Sequence, residues 1–333
     1  MNILITGGLG FIGSHTCVEL IKNNHSVIIA DNLINCSINT LDKIKTIVGT
    51  DLPFYQIDVT DISKLAEIFK NHKIDGVIHF AGLKAVKESV RKPLEYYSNN
   101  LVTTMMLSKM CITYGVEKFV FSSSATVYGD QPSPLKEEME LMRTTNPYGE
   151  TKAMSERILT DIAKAYPTFS VSLLRYFNPV GAHESGLIGE SPNGIPNNLM
   201  PYITQVANGK LEKLLVFGND YPTVDGTGVR DYVHIMDLAA GHVAALENLT
   251  EGVHIYNLGT GTGTSVLQLV KAFEEANNIK VPYEIVDRRP GDIASCYADT
   301  TKANIELGWF PKLDLIAMCR DAWRFERKYS VEI

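Results

Sequence analysis

Apolar residues arrive in short, nearly continuous runs along the first half of the chain, and longer stretches between them carry apolar positions at helical spacing. The runs predict strands at Asn2–Thr6, Ser26–Asp31, Phe54–Asp58, Gly76–Phe80, Lys118–Ser122 and Ser170–Leu174. The intervening stretches predict helices at Phe11–Lys22, Ile62–His72, Leu94–Tyr114 and Pro147–Ala165. Strands that are apolar throughout, rather than alternating, belong to a parallel sheet covered on both faces. Strand–helix alternation over this length predicts an α/β fold with a doubly wound parallel sheet.

Beyond Phe177 the texture changes. The segment Asn178–Asn197 is rich in Gly, Pro, Ser and Asn and reads as one long loop, the kind that is usually functional. Helical patterns follow at Leu199–Asn208, Met236–Leu249, Val266–Asn277 and Asp314–Lys328, with short strands at Leu214–Phe217, His254–Asn257 and Pro282–Val286. The expected division is residues 1–177 around the main sheet and residues 178–333 in a smaller mixed α/β lobe. Some segments of the second part are expected to return to the main sheet.

Composition adds limits. Of 333 residues, 45% are hydrophobic and 21% charged, which is globular and excludes disordered, collagen-like and coiled-coil chains. Lys plus Arg total 31 against 38 Asp plus Glu, a net charge of −7, so there is no broad basic surface for nucleic acid or an anionic membrane. Basic residues that serve an anion must therefore do so locally. No apolar run reaches the ~18 residues of a membrane span. The start, Met1-Asn2-Ile3-Leu4-Ile5, lacks the basic stretch of a secretory signal. The cysteines Cys17, Cys36, Cys111, Cys296 and Cys319 are odd in number and scattered, which fits a reducing cytoplasm rather than a disulfide framework. Neither they nor the eight histidines show metal-ligand spacing, and no metal is expected.

The first strand runs into Gly7-Gly8-Leu9-Gly10-Phe11-Ile12-Gly13 and then a helix. Gly7 permits a tight turn, Gly10 lets backbone approach a pyrophosphate, and Gly13 allows close helix packing; the helix N-terminus offers free N–H groups. Asp31 ends the second strand, where a carboxylate binds a ribose 2′-hydroxyl and repels a 2′-phosphate, favouring NAD over NADP. Asp58-Val59 and Phe80-Ala81-Gly82 follow the third and fourth strands, at the sheet edge where such folds bind ligands. Asp58 could equally cap the next helix. At Gly82 a small residue would let the cofactor lie against the backbone.

A second constellation is Asn146-Pro147-Tyr148-Gly149-Glu150-Thr151-Lys152. Asn146 is suited to cap a helix and Pro147 to open it, which puts Tyr148 in the first turn and Lys152 one turn on, on the same face. A phenol has a pKa near ~10, too high for a base at neutral pH. A neighbouring ammonium and a cationic nicotinamide would lower it. The serines of Phe121-Ser122-Ser123-Ser124-Ala125-Thr126-Val127-Tyr128-Gly129 end the fifth strand. Ser124 is the candidate to donate to the substrate oxygen, with Ser122 and Ser123 as structural turn formers.

With these motifs the chain resembles the extended short-chain dehydrogenase/reductase family and, within it, the UDP-hexose 4-epimerases. The resemblance runs from Ile3 to about Trp323. It also rests on Asp31-Asn32-Leu33, His79-Phe80-Ala81-Gly82-Leu83-Lys84-Ala85-Val86, Arg175-Tyr176-Phe177-Asn178-Pro179-Val180-Gly181-Ala182, Gly226-Thr227-Gly228-Val229-Arg230-Asp231-Tyr232 and Arg289-Pro290-Gly291-Asp292. It implies a Rossmann fold, tightly held NAD, a homodimer paired through Leu94–Tyr114 and Pro147–Ala165, and interconversion of UDP-glucose and UDP-galactose through a 4-keto sugar. Tyr148 would be the base, Ser124 would assist, and Lys152 would hold the cofactor ribose. Phe11, Ile12, Asn32, Asp58, Val59, Lys84, Asn99 and Phe177 match cofactor positions. Asn178, Asn198, Leu199, Val216, Phe217, Arg230, Arg289 and Asp292 match positions around the uridine diphosphate. The arginines also make independent sense, since a diphosphate calls for planar, bidentate cations.

Two departures refine the expectation. Dehydratases of the superfamily carry Thr-Asp-Glu where this chain has Ser124-Ala125-Thr126, which counts against water elimination. Cys296 matches a position where some relatives carry a bulky Tyr beside the sugar C2 substituent, so the resemblance implies room for UDP-GlcNAc and UDP-GalNAc. A buried small hydrophobe is the plainer reading of Cys296. An NAD-dependent sugar-nucleotide reductase or dehydrogenase, and a non-catalytic dinucleotide sensor, stay open as alternatives.

Overall fold

The structure is a computed structural model and describes residues 1–191, 196, 198–289 and 291–331. The chain runs β1 (Asn2–Thr6), α1 (Phe11–Lys22), β2 (Ser26–Asp31), α2 (Asn39–Val48), β3 (Phe54–Gln56), α3 (Ile62–Asn71), β4 (Gly76–His79), α4 (Val86–Arg91), α5 (Pro93–Tyr114), β5 (Lys118–Ser124), α6 (Pro147–Ala165) and β6 (Ser170–Tyr176). It continues with β7 (Asn178–Val180), α7 (Leu199–Ala207), β8 (Leu214–Phe217), β9 (Val229–His234), α8 (Ile235–Glu247), β10 (Val253–Leu258), β11 (Gly263–Ser265), α9 (Val266–Asn277), β12 (Tyr283–Val286), β13 (Ser295–Cys296), α10 (Thr301–Glu306) and α11 (Leu315–Val331).

Seven strands make one sheet in the order β10-β6-β5-β4-β1-β2-β3, every neighbouring pair parallel. Alternate residues feed opposite faces. Ile3 and Ile5 join one core with α1 and α8, while Leu4, Ile28 and Val77 join the other with α3 and α5. That double coverage is why the strands are apolar throughout. The order reverses between β1 and β4, and a crevice opens there at the carboxyl ends of the strands.

The remaining strands build the lobe: β11, β9 and β13 with β7 beside β9, and a separate β8–β12 pair. Its core is formed by Met200, Ile203, Val216, Leu269, Phe273 and Met318. The long loop expected over residues 178–197 is corrected in part. It opens as β7, parallel to β9, and closes on itself through a bridge between Ala182 and Gly189. Residues 192–195 and 197 lie outside the described residues, as does Pro290. No helix among the described residues is long and apolar enough to cross a membrane.

Candidate active site

The glycine loop forms as its spacing predicts. Gly7 has φ +71°, and a Cβ there would sit 2.8 Å from the Ala81 nitrogen, so the backbone after β4 passes too close for any side chain. A Cβ on Gly13 would fall 2.3 Å from the Gly7 carbonyl oxygen, so the first turn of α1 rests on the loop itself. Gly10 caps α1 without a side chain. The amides of Phe11, Ile12 and Gly13 at the start of the helix are thereby left for an external acceptor.

Asp31 lies at the end of β2, 7% exposed. It accepts the Leu9 N–H (3.1 Å) and the Leu33 N–H (2.9 Å), with the Cys36 thiol at 3.3 Å. The carboxylate therefore holds the glycine loop as well as facing the crevice. One cleft brings together Gly7, Asp31, Asn32, Asp58, Val59 and Ala81, with Gly82 and Asn99 also on its wall. Asp58 does not cap the next helix. Asp61 caps α3, and Asp58 accepts from Thr60 (2.8 Å to its N–H) and Asn32 (3.1 Å). Burial works against its charge, but the Thr60 and Asn32 bonds outweigh it and hold the carboxyl below its usual range. Gly82 lines the cleft, and a Cβ there would also meet the Asn100 side chain at 3.1 Å. Asn100, buried on α5, holds the Leu83 N–H (2.8 Å) and carbonyl (3.0 Å) and Thr151 (3.0 Å). Phe80 turns away from the cleft, its ring packed against His242.

The catalytic group sits at the ends of β5 and α6. Asn146 caps α6 by accepting the Gly149 N–H at 2.9 Å, with Pro147 at the first position. Tyr148 therefore lies in the first turn, opposite Ser124. The Ser124 hydroxyl oxygen accepts the Thr126 N–H (3.3 Å) and the Thr126 hydroxyl (3.0 Å), which leaves its own proton to donate. Burial pushes the Tyr148 phenol up to about 12, with the hydrogen bond from Ser124 pulling the other way.

Of the two cations expected to lower Tyr148, Lys152 by itself does not offset burial. Lys152 Nζ is 6.0 Å from the Tyr148 ring centre, donates to the Ser122 carbonyl and lies 4.8 Å from the Phe121 ring centre. The protein alone thus keeps Tyr148 protonated, and a phenolate needs a further cation. Burial lowers Lys152 to about 8, opposed by the charge of Glu156. Ser123 donates to Glu156, and Ser122 hydrogen-bonds Tyr176.

The residues expected around a nucleotide diphosphate fall into three groups. Arg289 stacks 4.5 Å over the Phe217 ring centre and pairs with Asp292 at 2.9 Å. Arg230, on β9, donates to the Val229 and Ile293 carbonyls and stands in register with Cys296 on β13. Asn198 donates to Glu190 at 2.6 Å, and Lys84 lies 3.6 Å from the same carboxylate. Two residues are only partly as expected. Val216 turns its side chain into the lobe core, 1% exposed, so only its main chain can meet a ligand. Leu199 opens α7 and packs partly against that core. Phe177 is buried beside Tyr128 and Ala153, with Cys296 partly buried against the same cluster, and Asn178 opens β7. Burial raises the Cys296 thiol to about 11.

Four residues with a part in the site escaped sequence reasoning: Asn100, Glu156, Glu190 and Asp231. Asp231, fully buried, accepts from Thr260 N–H (2.7 Å), Gly261 N–H (3.0 Å) and Ala298 N–H (3.1 Å), tying β9 to the segment after β10. Only Glu156 left a signal, its i+4 spacing from Lys152.

The cleft fits NAD on structural grounds: uncapped amides at α1, a crevice floored by glycines, and the Asp31 carboxylate at its edge. Comparison with known proteins agrees. A family profile described as GDP-mannose 4,6 dehydratase matches residues 4–322. The chain is 58% identical over 329 residues to the UDP-glucose 4-epimerase of Bacillus subtilis (strain 168), covering 98% of this chain and 97% of that protein. The solved UDP-glucose 4-epimerase of Stenotrophomonas maltophila, with bound NAD and formylated UDP-arabinopyranose, superposes with a TM-score of 0.98 at 48% identity over the whole of both chains. That of Bifidobacterium longum, in complex with NAD+ and UDP, gives a TM-score of 0.96 at 50% identity, again over the whole of both chains.

Proposed function

The chain belongs to the UDP-glucose 4-epimerases of the extended short-chain dehydrogenase/reductase family, and from that premise we propose that it interconverts UDP-glucose and UDP-galactose through a 4-keto sugar. The observation that carries the mechanism is the Ser124 hydroxyl, doubly accepting from Thr126 and donating its own proton to a buried Tyr148. Ser124 orients the C4 hydroxyl, and Tyr148 Oη takes its proton. NAD+, when bound, supplies the two-electron acceptor and donor at C4 and the positive ring that offsets burial of a Tyr148 phenolate. Lys152 holds the cofactor ribose. Arg230 and Arg289 grip the diphosphate while the 4-keto sugar turns about its link to it, so that both faces of C4 come within reach of one catalytic group. Ser124-Ala125-Thr126 offers no acid/base pair for water loss, which favours epimerisation over the dehydratase chemistry of the matched profile's description.

In this reading residues 1–177 mainly serve NAD: Gly7, Gly10, Phe11, Ile12 and Gly13 at the pyrophosphate, Asp31, Asn32, Asp58 and Val59 at the adenosine end, and the main chain of Phe80 with Ala81, Gly82, Lys84, Asn99 and Phe177 along the remainder. Residues 178–333 mainly serve the UDP-sugar, through Asn178, Asn198, Leu199, Val216, Phe217, Arg230, Arg289 and Asp292. Cys296 leaves room for a C2 N-acetyl group, which extends the substrates to UDP-GlcNAc and UDP-GalNAc. Five unpaired cysteines support a cytoplasmic setting.

The test is product analysis with UDP-glucose and no added NAD. Epimerisation without net NADH is expected, and Tyr148→Phe should cut turnover by about 10²–10⁴-fold, the usual worth of a positioned base. Net NADH release, or a Tyr148→Phe variant of normal activity, would overturn the reading.

A further inference from the structure

Behind Ser124, Tyr148 and Lys152 lies a buried ionic cluster that the mechanism above does not use. Glu156 is one helical turn beyond Lys152 on the same face of α6 and is 4% exposed. One of its oxygens accepts the Ser123 hydroxyl and Arg175 Nε (3.0 Å), and the other accepts an Arg175 terminal nitrogen (2.7 Å). Ser123 and Arg175 are register partners on β5 and β6. Arg175 in turn lies 4.7 Å from the Tyr128 ring centre, the residue that closes the turn after Ser124. Meanwhile Lys152 donates to the carbonyl of Ser122. Helix α6 is therefore fastened to two consecutive residues of β5, immediately before Ser124, by two of its own residues one turn apart.

We propose that Glu156 is a positioning residue for the catalytic group: held by Ser123 and Arg175, it fixes α6 in register against β5 and supplies the counter-charge of the Lys152 ammonium. The titratable and charged groups facing Lys152 agree with that assignment. From β4 comes His79, held neutral by burial, with a pKa lowered to about 3. Tyr176, on β6, hydrogen-bonds Ser122, whose carbonyl Lys152 uses, and burial keeps it protonated. From β5 come the Ser122 carbonyl and the Phe121 ring, and from α6 Tyr148 and Glu156. Among the described residues Glu156 is the carboxylate whose charge acts on Lys152, and it raises a pKa that burial depresses to about 8. Its carboxylate makes no direct ion pair with Lys152, because Arg175 holds it; it acts from one turn away.

The inference rests on the proposed function only for its kinetic consequence, so the test has two readouts. The first is titration of Lys152 by NMR in protein labelled at lysine Cε, its resonance identified by its loss in Lys152→Arg. Glu156→Gln should lower the Lys152 midpoint by roughly one pH unit, as removal of a nearby opposite charge does, and Glu156→Asp should restore most of it. The second is the pH profile of turnover, whose alkaline limb should move down by the same amount. Glu156→Gln leaves Arg175 buried without its partner, so Glu156→Met/Arg175→Met, which removes both charges, is the second variant; its Lys152 midpoint should move in the same direction but by less, because the Arg175 cation that opposes Glu156 leaves with it. A Lys152 midpoint unchanged in every folded variant would overturn the inference. Inactive wild-type protein would instead overturn the proposed function, with the NMR titration still deciding the role of Glu156.

Discussion

Cys296 occupies a two-residue strand opposite Arg230, with the buried Phe177 cluster behind it. A larger side chain there is excluded from the packed cluster behind it. Cys296→Tyr should therefore reduce turnover of UDP-GlcNAc by more than about tenfold, while turnover of UDP-glucose stays within a few-fold, a discrimination typical of one bulky pocket substitution. Equal loss on both substrates, or on neither, would show that Cys296 does not gate the C2 group. At this scale the site is legible wherever chemistry is local in sequence: Gly7 to Gly13, or Tyr148 and Lys152. It is not legible where partners meet only in the fold. Glu190 meets Lys84 from across the chain, Asn100 sits under Gly82, and Asp231 binds backbone near residue 260 and at Ala298. The direction of the Lys152 side chain, towards Ser122 rather than Tyr148, follows from packing and cannot be read from spacing.

Among the elements, α6 shows how a short signal fixes a catalytic geometry. Asn146 satisfies an otherwise open amide and sets the turn that carries Tyr148. Asn146→Ala should cost about 1 kcal/mol of stability in urea unfolding. It should lower kcat by loosening Tyr148, with bound NAD retained; loss of NAD together with activity would mean that the cap supports the fold and not the turn. The main-sheet strands were readable because both faces are apolar. By contrast β9, β11 and β13 escaped notice. In β9 the buried side chains include Asp231 and His234 beside Tyr232 and Val233, so burial there does not read as a continuous apolar run. Strands β11 and β13 have only three and two residues and exist because β9 pairs with them. The helices α2, α4 and α10 were likewise missed.

For the whole molecule, buried histidines set the acid limit. His15 and His79 are held at about 3 and His242 at about 4, each chiefly by burial. Because these folded-state values lie below the unfolded 6.5, the unfolded chain binds protons first as pH falls. Their stability is intact above about 6.5 and is lost progressively below it, at about 1.4 kcal/mol per histidine per pH unit. Urea unfolding at pH 5.5 should thus give a stability about 4 kcal/mol below that at pH 7.5, and a flat profile over that range would contradict it. Val90 on α4 (61% exposed) and Leu94 at the start of α5 (82%) are apolar surface for the homodimer through α5 and α6 that the family resemblance implies, and which we propose for this chain. A single-chain mass in sedimentation would remove that proposal. The order of the main sheet has one more consequence, for synthesis. Strand β6 is buried along its whole length, yet its outer neighbour, β10, is not made until residue 258. On the ribosome, β6 must wait as an open apolar edge through some eighty residues of translation, a window in which chaperones and neighbouring nascent chains compete for it.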